Sequence, residues 1–187
     1  RMPEEKYRGI IDHLSDVIYS YYPEYKKQGI DEGINPKAIV IVTNPIVDIL
    51  NKYYFNKKEF FHKLASEEFF KKRNIEKKNY YVATWHRREN VHIETSVRSI
   101  LELLSKSPLK VYMPTSYRTQ KVLKEMNLKI PNNVIMVDPV GYNEFLVLMT
   151  NSAGVITDSG TVVEETSVLG IPSLQMRKAT ERPQTYD

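Results

Sequence analysis

The sequence predicts an α/β fold with a doubly wound parallel sheet. Short apolar segments rich in β-branched residues alternate with amphipathic helical patterns along the whole 187-residue chain. This alternation is typical of right-handed βαβ units, which build parallel sheets covered by helices. The composition is 41% hydrophobic and 27% charged, which supports a core and excludes a low-complexity or broadly disordered chain.

The first elements follow from end signals and periodicity. Pro3 suits a first helical turn, and Gly33 suits the end of a helix. Two unbroken apolar runs, residues 38–42 and 80–84, are typical of strands buried on both faces. The predicted helices are 3–14, 24–32 and 46–73, and the predicted strands are 17–19, 38–42 and 80–84.

The rest of the chain continues the alternation. Ile93, Val97, Ile100, Leu101 and Leu104 recur at helical spacing, which predicts an amphipathic helix. The remaining predicted strands are 110–113, 134–137, 154–157 and 172–175, and the remaining helices are 117–128, a stripe within 142–149, and 161–169. Ligands of such sheets bind at the carboxyl ends of the strands, so the loops at that edge are the candidates for chemistry.

Composition and charge narrow the classes of function. The chain has no cysteine, which excludes disulfides, thiolate metal sites and cysteine nucleophiles and fits the cytoplasm. No apolar stretch is long enough to predict a membrane-spanning helix. The net charge is only +4, and the basic residues are scattered beside acids, which argues against a nucleic-acid partner. The basic run at 71–78 is typical of a solvated helix end.

The strongest local motif is Thr-Asp-Ser-Gly-Thr at residues 157–161, between a predicted strand and a predicted helix. Gly160 lets a ligand approach the backbone, and Ser159 with the free N–H groups of the helix start can bind phosphate. The alternative is that Asp158 or Ser159 only caps the helix. One turn later stand Glu164 and Glu165, and either carboxylate can bind a ribose diol or merely suit the helix dipole.

Further strand-end loops add basic and aromatic residues. The loop 85–90 reads Trp-His-Arg-Arg-Glu-Asn, in which His86 can transfer protons near neutral pH and the two arginines, Arg87 and Arg88, match phosphate geometry. Arg177 and Arg182 follow the last predicted strand and add two more arginines on the same edge. Phe145 has the chemistry to stack on a base, although its helical spacing fits a core position equally well. The sequence therefore predicts a cleft for a nucleoside diphosphate.

These motifs resemble those of the non-hydrolysing UDP-N-acetylglucosamine 2-epimerases. The matching segments are His-Arg-Arg-Glu-Asn at 86–90, Thr-Asp-Ser-Gly at 157–160 with Glu164 and Glu165, and Met-Arg with Thr-Glu-Arg-Pro within 176–183. The resemblance runs over nearly the whole chain and implies one half of a two-domain GT-B type fold with a Rossmann-like parallel sheet. Residues 1–44 would be the tail of the first domain, and residues 45–187 a nucleotide-binding second domain that is incomplete at its C-terminus.

The resemblance also implies a reaction and roles. UDP-GlcNAc would become UDP-ManNAc by elimination of UDP and its re-addition, for cell-surface polysaccharide precursors, without a metal or other cofactor. The partner would be a UDP-sugar, and the enzyme a cytoplasmic homodimer. The implied catalytic residues are Glu4 and His86, and the implied substrate-binding residues are Arg87, Val140, Phe145, Ser159, Gly160, Thr161, Glu165 and Arg182.

Two departures keep alternatives open. Thr161 stands where the family usually has a second glycine, and residues 114–117 lack a histidine that many members have. A related 2-epimerase acting on another UDP-2-acetamido sugar of capsule synthesis is one alternative. A GT-B glycosyltransferase and a non-catalytic UDP-sugar-binding module are the others.

Overall fold

The computed structural model describes the backbone of residues 3–177 and the side chains of residues 6–177. The chain divides into two compact units, and the division falls between Asp48 and Ile49. Among the described residues, no helix is both long and apolar enough to span a membrane.

The first unit contains two helices and two parallel strands. Its elements are α1 (Pro3–Leu14), β1 (Ile18–Ser20), α2 (Pro23–Asp31) and β2 (Ile39–Ile41). Ile18 lies opposite Ile39 in the two-stranded sheet. The Lys26 ammonium donates to the Ile39 carbonyl at 2.7 Å and ties α2 to β2. Gly33 has a φ of +93°, a conformation that glycine adopts without strain where the chain leaves α2.

The prediction that residues 38–42 are buried on both faces is wrong. Ile39 is buried, but Val40 and Ile41 are 43% and 46% exposed. The physical reason is that this sheet has only two strands. More than half of the exposed large hydrophobic side chains of the described chain lie in this unit, including Tyr7 and Leu14 of α1.

The second unit is a five-stranded parallel sheet with helices between its strands. Its strands are β3 (Tyr80–Thr84), β4 (Lys110–Pro114), β5 (Val134–Val137), β6 (Gly154–Thr157) and β7 (Ser173–Gln175), and its helices are α3 (Pro45–Tyr53), which begins before the division, α4 (Lys58–Leu64), α5 (Glu67–Lys71), α6 (Arg88–Val91), α7 (Glu94–Ser105), α8 (Tyr117–Glu125), α9 (Tyr142–Thr150) and α10 (Gly160–Leu169). The predicted parallel α/β architecture is confirmed, although the sheet of the first unit is separate from this one.

The single helix predicted for residues 46–73 is wrong. This segment forms α3, a 3-10 turn, α4 and α5 in succession. Ser66 accepts a hydrogen bond from the Phe69 N–H and therefore starts α5 as a new helix. The Tyr54 ring packs against Phe61 with ring centroids 4.9 Å apart, which the turn after α3 makes possible.

The core covers both faces of the second sheet. Tyr80 and Val82 belong to one buried cluster, while Ala83 belongs to the other, as the alternation along a strand requires. The apolar stripe predicted for α7 is buried from Val97 to Leu104. Ile93 is the exception, because it precedes the helix and is half exposed.

Strand order determines where a ligand can bind. The order is β5-β4-β3-β6-β7, so the chain moves outward in one direction from β3 and in the other direction from β6. At this switch point the connections after β3 and β6 diverge, and ligands of such sheets bind at the carboxyl ends of the strands there. Thr84 and Thr157 lie opposite each other there.

Candidate functional site

The carboxyl ends of β3 and β6 are joined by side-chain hydrogen bonds. The hydroxyl oxygens of Thr84 and Thr157 lie 2.6 Å apart, and Thr157 is fully buried. The Ser159 N–H donates to the Thr157 hydroxyl oxygen at 3.0 Å. The turn that enters α10 therefore starts from a fixed position at the switch point.

Asp158 organises the loop after β3. Its carboxylate is fully buried (0% exposed) and accepts the backbone N–H groups of His86 and Arg87 at 3.1 and 2.8 Å. The Asn90 amide adds a third donor at 3.2 Å. A buried carboxylate is tolerated only when such donors surround it, so Asp158 and this loop require each other. Asp158 is not the cap of α10.

His86 and Arg87 receive their orientation from the same residue. The His86 ring is 54% exposed, and its Nδ1 lies 3.4 Å from a carboxylate oxygen of Asp158. The carboxylate favours a proton on Nδ1, which leaves Nε2 to accept or donate a proton. Arg87 donates from Nε to the Asp158 carbonyl at 2.9 Å, and one of its terminal nitrogens lies 3.7 Å from Glu89.

The N-terminus of α10 lies next to this loop. Ser159 is the cap, because its hydroxyl oxygen accepts the Val162 N–H at 3.4 Å. The hydroxyl proton is therefore still able to donate to a ligand. Gly160 is the first residue of the helix and is buried, whereas Thr161 is exposed. The first-turn N–H groups of a helix have no acceptor within it and favour an anion.

Glu165 is a buried acid on α10. It is only 4% exposed and accepts the Tyr142 hydroxyl at 2.7 Å, which links α10 to α9. Burial raises the pKa of Glu165, and the nearby charge of Glu164 raises it further, while the bond from Tyr142 lowers it. Burial and the bond to Glu165 raise the pKa of Tyr142. Val140 and Phe145 are partly buried and pack against the core cluster on this face.

The structure thus brings together many of the residues that the sequence predicted. His86, Arg87, Ser159, Gly160 and Thr161 lie around the ends of β3 and β6, as the hydrogen bonds and strand register show. The side chain of Glu4 and the whole of Arg182 lie outside the described residues. In the described part of the chain, no three His, Asp or Glu side chains cluster as metal ligands.

Two residues of the site and one element do not follow from the sequence pattern. The pattern suggests only a capping role for Asp158, and it assigns no role to Asn90. The signal for Asp158 was a lone acid directly after a buried strand, where it must find donors. Residues 88–91 form the short helix α6 rather than an open loop.

Comparisons with known proteins identify the family that this chain matches. The family model described as UDP-N-acetylglucosamine 2-epimerase matches residues 1–187. The UDP-N-acetylglucosamine 2-epimerase of Methanococcus maripaludis is 35% identical over 201 residues, a match to 100% of this chain and 52% of that protein. The UDP-2,3-diacetamido-2,3-dideoxy-D-glucuronate 2-epimerase of Pseudomonas aeruginosa is 32% identical, with coverage of 97% and 49%.

A solved structure shows the same relationship. The Methanocaldococcus jannaschii UDP-GlcNAc 2-epimerase, crystallised in complex with UDP-GlcNAc and UDP, matches with a TM-score of 0.83 and 33% identity. The match covers 99% of this chain and 52% of that chain. The chain therefore spans about half the length of the relatives it matches, which agrees with the predicted half of a GT-B type fold.

Replacing Asp158 with Asn is expected to destabilise the second unit. Asn offers one acceptor oxygen, and its amino group would face the N–H groups of the loop, so we expect a loss of about 2–4 kcal/mol in the free energy of unfolding. Urea unfolding measures this free energy.

Asp138→Asn is the control for Asp158→Asn. Asp138 also follows a strand and accepts one side-chain hydrogen bond, but it is exposed. An equal loss in both variants would contradict the role of Asp158.

Replacing Glu165 with Gln is expected to change the pH dependence of stability. The pKa of Glu165 is raised in the folded state, so its contribution is favourable at low pH and is lost as pH rises through that pKa. Gln keeps the acceptor for Tyr142 without the buried charge. The variant should therefore gain stability relative to the parent protein as pH rises from 4 to 8, measured by urea unfolding. Glu125→Gln, at an exposed position, should show no such trend; a flat difference for Glu165→Gln would refute the interpretation.

Proposed function

The chain belongs to the UDP-N-acetylglucosamine 2-epimerase family, and on that premise we propose that it is the nucleotide-binding half of an enzyme that converts UDP-GlcNAc into UDP-ManNAc. The observation that carries the proposal is the buried Asp158 carboxylate, which holds His86 and Arg87 beside the N-terminus of α10. The M. jannaschii relative, whose structure contains UDP-GlcNAc and UDP, supports a UDP-sugar ligand.

In this proposal, the N-terminus of α10 binds the diphosphate. Ser159, Gly160 and Thr161 supply the hydroxyl and N–H donors, and the helix dipole favours the negative charge. Arg87 adds a guanidinium that Asp158 and Glu89 keep in place. Arg182 is proposed as a further phosphate ligand, on the strength of the family resemblance alone.

The nucleoside would lie towards α9. Glu165 is proposed to accept the ribose hydroxyls in place of, or together with, the Tyr142 hydroxyl that it now accepts. Phe145 and the backbone of Val140 are proposed to contact uracil. Their packing against the core makes them a rigid wall, which suits recognition of a flat base.

The chemistry proposed is elimination followed by addition. A base removes the proton from C2 of the sugar, and the C1–O bond breaks with its electron pair passing to the β-phosphate oxygen of UDP. UDP then adds again to C1 of the 2-acetamidoglucal while a proton returns to the opposite face of C2. His86, whose ring is 54% exposed, is proposed to stabilise or protonate the leaving diphosphate, and Glu4 is proposed as an acid–base group at the sugar.

The domain assignment is part of the proposal. We infer that residues 1–44 are the tail of a first domain, and that the protein is a cytoplasmic homodimer serving cell-surface polysaccharide synthesis. The exposed apolar side chains of the first unit support the first inference, because such a surface is normally covered in a complete domain.

A second candidate is 2-epimerisation of a different UDP-2-acetamido sugar. The P. aeruginosa relative, named for a diacetamido glucuronate substrate, has nearly the same level of identity as the UDP-GlcNAc 2-epimerases. The exposed Thr161 at the first turn of α10 adds a side chain where the family usually has glycine, and it could select among sugars.

The proposed reaction predicts exchange with solvent at C2. The full-length protein, incubated with UDP-GlcNAc in D2O, should produce UDP-ManNAc and place deuterium at C2 of both sugars, as seen by NMR. Residues 1–187 alone are expected to be inactive. Turnover without deuterium at C2 would exclude the elimination mechanism, and net release of UDP to an added acceptor would indicate a glycosyltransferase. Exchange only with a different UDP-2-acetamido sugar would favour the second candidate.

Replacing His86 with Ala should separate catalysis from binding. The His86 ring is half exposed, and the shorter contact to Asp158 is a hydrogen bond from the backbone N–H of His86. Because alanine keeps that N–H, the loop should keep its conformation in the variant. We expect kcat to fall by about 10²–10⁴-fold, while the Kd for UDP changes by less than about tenfold. Steady-state kinetics and calorimetry measure the two effects. His92→Ala, at an exposed position outside the network, is the control; equal losses in kcat and UDP affinity would make His86 a binding residue only.

A further inference from the structure

The side chain of Asn90 joins the loops that follow β3, β6 and β7. Its Nδ2 donates to the Asp158 carboxylate at 3.2 Å and to the Met176 carbonyl at 2.8 Å. Met176 is the residue directly after β7, and its own N–H donates to the Thr157 carbonyl at 2.8 Å. The amide therefore connects the site to the segment in which the chain leaves the sheet.

The orientation of this amide is determined by its partners. A carboxylate and a carbonyl can only accept, so both of them require the nitrogen end of the side chain. The backbone of Asn90 is held as well, because its carbonyl accepts the Trp85 indole N–H at 3.2 Å. Trp85 is in turn tied to α8, since Thr119 donates its hydroxyl to the Trp85 carbonyl at 3.1 Å.

We propose that Asn90 is a positioning residue that holds the chain leaving β7 at a fixed distance from the His86 loop. The proposal rests on the proposed function, in which both segments approach the diphosphate. A short, neutral side chain with two donors is what this position requires. Aspartate lacks the donors, serine has only one, and a cationic side chain would bring a charge to the carbonyl of Met176.

Asn133 provides a matched control at the opposite edge of the sheet. Its Nδ2 donates to the carbonyls of Leu104 and Ser107, at 2.9 and 3.4 Å, just before β5 begins. The donor chemistry is the same as that of Asn90, because one amide nitrogen donates to two acceptors, although both acceptors of Asn133 lie at the end of α7. Loss of this bond should lower stability without touching the residues of the candidate site.

The test compares Asn90→Asp with Asn133→Asp in the full-length protein. At pH 8 we expect Asn90→Asp to lower kcat/KM by about tenfold to 100-fold, because both segments lose their spacing, and to raise the Kd for UDP. As pH falls towards 5, the loss should diminish relative to the parent protein at each pH. The new carboxyl beside Asp158 would then share a proton with it, which removes the repulsion between the two carboxylates and restores one of the two donors, so the recovery should be partial.

The other charged groups near this position moderate the effect without reversing it. His86 Nδ1 lies 3.4 Å from Asp158, Arg87 donates to the Asp158 carbonyl, and Glu89 pairs with Arg87. The same pH series is therefore measured on the parent protein. Asn133→Asp should lower the urea midpoint but leave kcat/KM and UDP affinity within about twofold of the parent protein.

Each outcome decides the proposal. An acid-rescued loss confined to Asn90→Asp supports it, whereas unchanged kinetics, or equal losses in both variants, overturn it. If Asn90→Asp does not fold, Asn90→Ser is tested instead, because serine keeps one donor and adds no charge. We expect Asn90→Ser to lower kcat/KM by at least about threefold, with no recovery at low pH. Unchanged kinetics in Asn90→Ser overturn the proposal. If the parent protein binds UDP but does not epimerise UDP-GlcNAc, the proposed function fails, and the acid-rescued change in UDP affinity still tests Asn90.

Discussion

The buried carboxylate of Asp158 is the group on which the candidate site depends. It has no access to water, and it is stabilised by backbone and side-chain donors that all come from the segment after β3. Desolvating a charge is costly unless donors replace the lost water. The loop therefore has one conformation in which that cost is met, and this conformation places the His86 ring and the Arg87 guanidinium at the carboxyl edge of the sheet.

The hydrogen bonds around Asp158 divide the candidate site into an interior, where the polar groups bond to other protein groups, and an accessible rim. In the interior, Thr84, Thr157 and Asp158 bond to protein groups. At the rim, the His86 ring and Thr161 are exposed next to the start of α10. A rigid interior keeps the rim groups from rearranging when a ligand binds, which reduces the entropy lost on binding and the reorganisation needed during reaction. Glu165 extends the same arrangement to α9 through Tyr142.

The pattern of apolar residues along the sequence predicted the strands and most helices of the second unit. Buried parallel strands are continuous apolar runs, and the helices that cover them carry an apolar stripe. β3, β5 and β6 begin and end at the predicted residues. The segment 46–73 was not predictable in this way. Its helical periodicity continues through positions where Ser66 starts a new helix and Tyr54 packs on Phe61. The prediction that residues 38–42 are buried on both faces was also wrong. Burial depends on how many other elements cover a strand, and the sequence of the strand itself does not give that number.

By itself the sequence determined the class of fold, the loops at the carboxyl edge of the sheet and the residue types proposed to bind a nucleoside diphosphate, because these depend on periodicity and on chemistry within a few positions. Tertiary structure alone decided that Asp158 organises a loop about seventy residues earlier in the chain, that Ser159 and not Asp158 caps α10, and that Asn90 reaches Met176. These contacts exist only because parallel pairing brings the ends of β3, β6 and β7 to one edge, and hydrogen bonds between residues so far apart leave no periodic trace in the sequence.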